Sequence, residues 1–406
     1  MNPLFHDHHS SEARMVLLTA DEQALRLGRI RAALGDTAEA VVLSDNADIY
    51  YVCGRVFSGY VYIPADAALL PVYFVRRPNH LLGEDVEAIR KPEEIPARLE
   101  ARGLPLPKSV ALELGSVSYD GVERLRHVFE GAALANATPV MRKARAVKTA
   151  FEQELLRTSG AKHTRVYEII PRLYREGMTD IELQIEIERA SRLQGCLGQF
   201  RVAGDDMELF MGNVLTGDNA DTPSPYDFAM GGAGLDPSIP VGANGSLIEP
   251  HKPMMVDVNG NYTGYMTDMT RCYSDGEPDA RVRKANECSR AICTAIAEAG
   301  RPGTEAKALY DLAETMAREA GLKEYFMGCR SHAGFVGHGV GIEVNEAPVL
   351  APRSRDVLEA GNVIAVEPKF VLSGYGAVGI ENTYIVRADG AMERITCAPE
   401  DIVSLK

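Results

Sequence analysis

Apolar positions recur at helical spacing over TADEQALRLGRIRAALG (19–35) and VERLRHVFEGA (122–132). The runs AEAVVLSD, VYIPADAALLPVYFV and SVALELG are rich in the branched and apolar residues of strands. This alternation predicts an α/β domain over 14–145. The basic, proline-bearing stretch ATPVMRKARAVKT (137–149) reads as a linker. After it come two helical patterns, 151–177 and 179–195, parted by Gly177, with Thr179 and Glu182 forming a capping box at the second start. Residues 213 to about 245 are rich in glycine and proline and read as loop, and GGAG there lacks the strand–loop–helix setting of a phosphate cradle. From 254 the pattern turns to strands, with PMMVDVNGNYTG and YMTDMTRCYSDG predicting a hairpin that turns at NGNYTG. Helices follow near 281–299 and 304–320, then short strands to the end.

A chain of 406 residues exceeds one typical core, so the expected partition is a tail over 1–13 and domains over 14–145 and 146–406. Hydrophobic content of 46% and charged content of 25% are those of a globular protein, and no apolar run reaches the length of a membrane span. The formal charge of −14 argues against nucleic acid or an anionic membrane as main partner. Seven scattered cysteines with no CxxC pair fit reduced thiols and a cytoplasmic location, with Cys288 and Cys293 as packing residues. His6, His8 and His9 read as a polar terminus.

The chemistry concentrates near the C-terminus. Asp257 and Asp268 lie on the two arms of the predicted hairpin, His338 in GHGVG, Glu367 in VIAVEPKF and Glu381 in GAVGIENTYIV. Glutamate on an apolar strand is costly to bury unless paired or bound to a cation. Four carboxylates balance two divalent ions, and one imidazole favours manganese, iron, cobalt or zinc over calcium or magnesium. The plain alternatives are that Asp257 caps a turn, Asp268 pairs with Arg271 and His338 is a satisfied core residue.

The order Asp, Asp, His, Glu, Glu with these flanks resembles the pita-bread metallopeptidases prolidase, aminopeptidase P and methionine aminopeptidase and the related creatinase, with the Xaa-Pro dipeptidase and aminopeptidase P branch the nearer match. The likeness covers about 150–406 in detail. The first half is similar in layout to the small domain of prolidase and creatinase, with DIYYVCGRV matching that domain's first strand-turn. The resemblance implies a creatinase-like α/β N-terminal domain, an α+β pita-bread catalytic domain and a homodimer. It also implies two divalent metals, with Asp257 on one through both oxygens, Asp268 and Glu381 bridging, and His338 and Glu367 completing the other. Glu367 would move a proton, and Thr270 would support Asp268.

The chain departs from that pattern around the cage. Asn345 stands where a histidine is expected, and makes a second candidate catalytic residue beside Glu367 as a hydrogen-bond donor to a carbonyl. No histidine stands near Ser238 and Ile239, about 18 residues before the first ligand. Gly379 replaces an expected arginine, and Gly334 a frequent histidine, with His332 out of register. The reading is therefore a two-metal hydrolase of a small peptide or peptide-like amide, of the Xaa-Pro kind. Two alternatives stand beside it: a same-fold metal enzyme on a small non-peptide substrate, and a catalytically silent binding module.

Overall fold

The computed structural model describes residues 13–204, 210–226, 228 and 230–405, and His6, His8 and His9 lie outside them. The chain parts into two compact units between Arg145 and Ala146.

The first unit is built on a six-stranded sheet of order β4-β3-β2-β1-β5-β6. Its strands are β1 (Ala40–Leu43), β2 (Ser58–Pro64), β3 (Val72–Arg77), β4 (Val86–Ala88), β5 (Ser109–Leu112) and β6 (Ala133–Asn136). Helices α1 (Ala20–Leu34), α2 (Asn46–Cys53), α3 (Ile95–Ala101) and α4 (Tyr119–Val128) connect them. The apolar run 61–75 is two strands, because Asp66 accepts from the Ala68 N–H and turns the chain between them. DIYYVCGRV is largely helix rather than strand-turn: Asp45 caps the start of α2 through the Ala47 N–H, and Gly54 ends it at φ 72°. Its residues are buried nearly all round, so no helical stripe shows in the sequence. The expected linker is also helix, α5 (Thr138–Ala146). Pro139 sits in its first turn, where a missing N–H costs nothing, and Val140, Met141 and Ala144 bury one face.

The second unit begins with α6 (Ala150–Leu173) and α7 (Asp180–Leu193), each started by a complete capping box, Thr149–Glu152 and Thr179–Glu182. A four-stranded sheet of order β19-β11-β8-β7 follows, from β7 (Gly212–Thr216), β8 (Pro253–Val258), β11 (Thr270–Ser274) and β19 (Val403–Ser404). The expected hairpin is present as β8 against β11, with Asp257 opposite Thr270, and its tip is the short pair β9 (Gly260–Asn261) and β10 (Met266–Thr267). Helices α8 (Ala280–Ala299) and α9 (Ala306–Glu319) come next. The remaining strands are β12 (Gly337–Gly339), β13 (Glu346–Leu350), β14 (Val363–Val366), β15 (Lys369–Leu372), β16 (Gly376–Gly379), β17 (Asn382–Ile385) and β18 (Glu393–Arg394). They form a sheet of order β13-β12-β14-β17-β18 and a β15–β16 pair.

Helix α6 fixes the hairpin. Its residues Ser159, His163, Val166, Tyr167 and Ile170 recur at helical spacing and are buried. The Tyr167 hydroxyl accepts from the Val258 N–H at 2.9 Å and donates toward the Met269 carbonyl, so one side chain ties together the segments that carry Asp257 and Asp268. Ser159 Oγ donates to the Tyr265 carbonyl at 3.0 Å and accepts from the Tyr262 N–H at 3.2 Å. Gly160 is required here, since a Cβ would stand 2.3 Å from the Ile395 carbonyl oxygen.

His163 lies 3.0 Å from Thr267 Oγ1 and edge-on to Tyr167, and burial pushes it down from 6.5 to about 3. The folded protein therefore refuses a proton that the unfolded chain accepts. The associated stability is complete above pH 6.5 and is lost as pH falls toward 3. Relative to His163→Gln, the wild type should lose about 2 kcal/mol between pH about 6.5 and about 5. Urea unfolding at the two pH values reads this, and a difference independent of pH would contradict it.

Candidate metal centre

Five acidic or imidazole side chains from separate strands converge in the second unit. Asp257 stands on β8 and Asp268 just before β11, while His338 is the middle residue of β12. Glu367 follows β14, and Glu381 lies between β16 and β17. Their donor atoms form two groups, Asp268–His338–Glu381 and Asp257–Glu367–Glu381, each with all atoms within 4.8 Å of one another. The sequence-predicted set is thus gathered in one place, with Glu381 shared.

Buried neighbours orient Glu381 and Asp268 and fix the backbone around the cluster. Thr270 Oγ1 donates to Glu381 Oε2 at 2.7 Å, and the Glu381 N–H donates to the Thr270 carbonyl. Thr270 therefore supports Glu381, not Asp268 as the resemblance implied. Arg271 does not pair with Asp268: it is fully buried and donates to the carbonyls of Thr270, Glu381 and Ala398 and to Asn382 Oδ1. Ser289 of α8 donates to the Pro368 carbonyl at 2.6 Å and accepts from the Ile380 N–H at 2.9 Å, fixing the backbone beside both glutamates. Asn259, with its amide nitrogen turned toward the carboxylate, donates to both Asp268 oxygens at 2.9 and 3.1 Å. Lys148 meets Glu346 at 2.8 Å, and Glu346 in turn accepts from the Ile342 and Glu343 N–H groups, which shapes the turn after His338.

A sixth group was not foreseen. Lys369, the first residue of β15, places its ammonium 2.7 Å from Asp257 Oδ2, 2.7 Å from Glu367 Oε2 and 3.4 Å from Glu381 Oε2. Its side chain is 0% exposed. The signal was present in VEPKFVL, where a lysine interrupts an apolar strand two residues after a candidate ligand.

Electrostatics follow from this arrangement. Burial and the neighbouring Asp257 push Asp268 up to about 7. Burial, Asp268 and Glu367 raise Glu381 well above the usual carboxylate range. Burial would raise Glu367 too, but Lys369 and His338 overcome it and hold that carboxyl down at about 2. Burial opposes charge on His338, yet Glu367, 3.2 Å from Nε2, lifts it to about 9. Lys369 is held charged against burial by Asp257, Glu367 and Glu381.

The two donor groups differ in their fit to a cation. Asp268–His338–Glu381 combines two carboxylates with an imidazole, and Glu381 Oε1 is buried with no hydrogen-bond partner, as a ligating atom should be. In Asp257–Glu367–Glu381, one oxygen of each carboxylate is turned to the Lys369 ammonium, so that group does not fit a metal ion while the ammonium is there.

The cluster opens to a cavity of about 70 Å³, walled by Phe228, Phe335, Val344, Asn213 and Asn345 among others. Asn345 reaches the site's wall, but its amide is committed at both ends to Ala203, donating to the carbonyl at 2.6 Å and accepting from the N–H at 2.7 Å. Its place is that of a clamp on the segment at 203. His332 lines a different pocket with Tyr226, its Nδ1 2.9 Å from the Phe326 carbonyl. Ser238 is exposed and bonds only locally, to Asp236.

Residues 154–388 match metallopeptidase family M24, and residues 26–147 match the creatinase/prolidase N-terminal domain. The chain belongs to family M24, with a creatinase-type domain before a pita-bread catalytic domain, as the sequence motifs implied. Metal dependence is the property of that family, and the cluster above offers two groups of donors that could hold an ion. The chain is 32% identical to the probable dipeptidase PepE of Mycobacterium tuberculosis over 66% of its own length and 63% of that protein's, so the match spans less than two thirds of this relative. It is 24% identical to the Xaa-Pro dipeptidase of Pyrococcus horikoshii over 91% of this chain and 95% of that one. In fold it is similar to the Xaa-Pro dipeptidase from Bacillus anthracis, with a TM-score of 0.78, 23% identity, and coverage of 94% and 99%.

Removing the Thr270 hydroxyl should loosen Glu381 without disturbing the strand. Thr270→Val is expected to weaken metal affinity about 10–100-fold. Calorimetric titration with manganese reads this, and unchanged affinity would contradict the assigned support.

Proposed function

We propose that this chain is a metal-dependent hydrolase of a small peptide-like amide, with Xaa-Pro dipeptides as the first substrate class. One observation carries the reading: a buried Asp268–His338–Glu381 donor group, with an orphaned Glu381 oxygen, borders a partly open cavity through Asp268 and His338. Family membership supports it, as do relatives that carry Xaa-Pro dipeptidase names. The mixed donor set suits manganese, iron, cobalt or zinc. A divalent ion there supplies Lewis acidity toward a carbonyl oxygen and toward water.

The chain's own residues do the rest. Phe228, Phe335 and Val344 present apolar surface to the substrate and exclude water. Asn213 Oδ1, buried on the same wall without a hydrogen-bond partner, offers an acceptor to a substrate N–H. Glu367, held ionised by Lys369 and His338, is the acceptor on the cavity floor. The seven cysteines are all free thiols, which supports a reducing, cytoplasmic setting.

The second reading, a metal enzyme on a small non-peptide substrate, is favoured by one feature. His338 is the single histidine lining this cavity among the described residues, and Asn345 is engaged with Ala203. Protein stripped with chelator and reloaded with manganese, cobalt or zinc is expected to release proline from Xaa-Pro dipeptides. Bound metal without turnover of any dipeptide would overturn the peptidase reading and leave the second. Failure to bind metal at all would leave the binding module.

A further inference from the structure

Lys369 enters the cluster by a route that the fold has built for it. It is the cross-strand partner of Gly379 in the β15–β16 pair. A Cβ at position 379 would come within 2.9 Å of the Lys369 Cα and 3.3 Å of its Cγ, so glycine leaves the lysine stem its space. On the backbone side, the Lys369 carbonyl accepts from the Met327 N–H at 2.8 Å. The ammonium at the end of this stem has three N–H donors and three carboxylate oxygens around it, on Asp257, Glu367 and Glu381.

Those oxygens belong to the second donor group of the cluster. Metal–oxygen bonds are about 2.0–2.2 Å long, so an ion seated among them would stand in contact with the lysine nitrogen. Ammonium and ion compete for one position. Asp268 and His338 of the other group make no ion pair with the ammonium, and there Glu381 keeps one oxygen without a hydrogen-bond partner.

We propose that Lys369 is a built-in cation occupying one of the two metal positions, so that the chain holds a single divalent ion on Asp268, His338 and Glu381. This rests on reading the cluster as a metal site, but not on the identity of the substrate. With its donors spent on carboxylates, the ammonium neutralises and orients Asp257 and Glu367 and has no N–H left for substrate. The chemistry implied is that of a one-metal hydrolase whose second charge is fixed in the protein and needs no metal supply.

The test is the metal content of full-length protein, saturated with manganese or cobalt, freed of loose metal by gel filtration and counted by mass spectrometry. Wild type is expected to retain one ion per chain. Lys369→Gly, which clears the route, is expected to retain two. Two ions on the wild type would overturn the proposal, and so would one ion on a folded Lys369→Gly. Lys369→Met, whose side chain is one atom shorter and uncharged, repeats the count should the glycine variant fail to fold. The wild-type result decides in either case. Failure of the peptidase reading appears instead as absent turnover, which ion counting does not register.

Discussion

Four carboxylates brought together out of water repel one another, and the catalytic unit is organised around the need to compensate them. The compensation is distributed. Lys369 neutralises one side, where Asp257, Glu367 and Glu381 turn oxygens toward it. On the other side His338 stands against Glu367, and Asp268 is pushed up to about 7 while no cation is present. A divalent ion at Asp268, His338 and Glu381 would complete the balance. Burial makes each of these interactions strong and makes any missing partner expensive.

The scaffold serves this cluster from several directions. Tyr167 joins the strand ends that carry the two aspartates, Arg271 holds the carbonyl of Glu381, and Ser289 secures the backbone next to Glu367 and Glu381. None of these groups would contact substrate. They explain why short strands separated by more than a hundred residues deliver side chains to a common point: the backbone beside Asp257, Asp268, Glu367 and Glu381 is anchored by polar residues from other elements, and His338 is held by strand pairing on both sides.

The convergence of the five residues was legible in the sequence because they stand in contexts that packing alone does not explain. The capping box at Thr179 and the hairpin carrying Asp257 also follow from local pattern, and both are present. Helix α2 was illegible for a physical reason: with nearly every residue buried, it shows no polar face. Helix α5 was masked by a proline that is harmless in a first turn. The roles of Asn345 and Lys369 depend on which side chain reaches which backbone or carboxylate across the fold. Spacing along the chain cannot supply that. Gly379, conspicuous only as a missing arginine in the sequence, has its structural meaning beside Lys369, whose stem it accommodates.

Under the proposal that Lys369 fills one metal position, this family M24 chain carries part of its cationic charge in the protein itself. Anomalous diffraction from crystals soaked in manganese or cobalt tests this most directly. One peak beside Asp268, His338 and Glu381, with the Lys369 ammonium resolved between Asp257 and Glu367, is the result predicted. Two peaks about 3.5–4 Å apart, with Lys369 displaced, would contradict it.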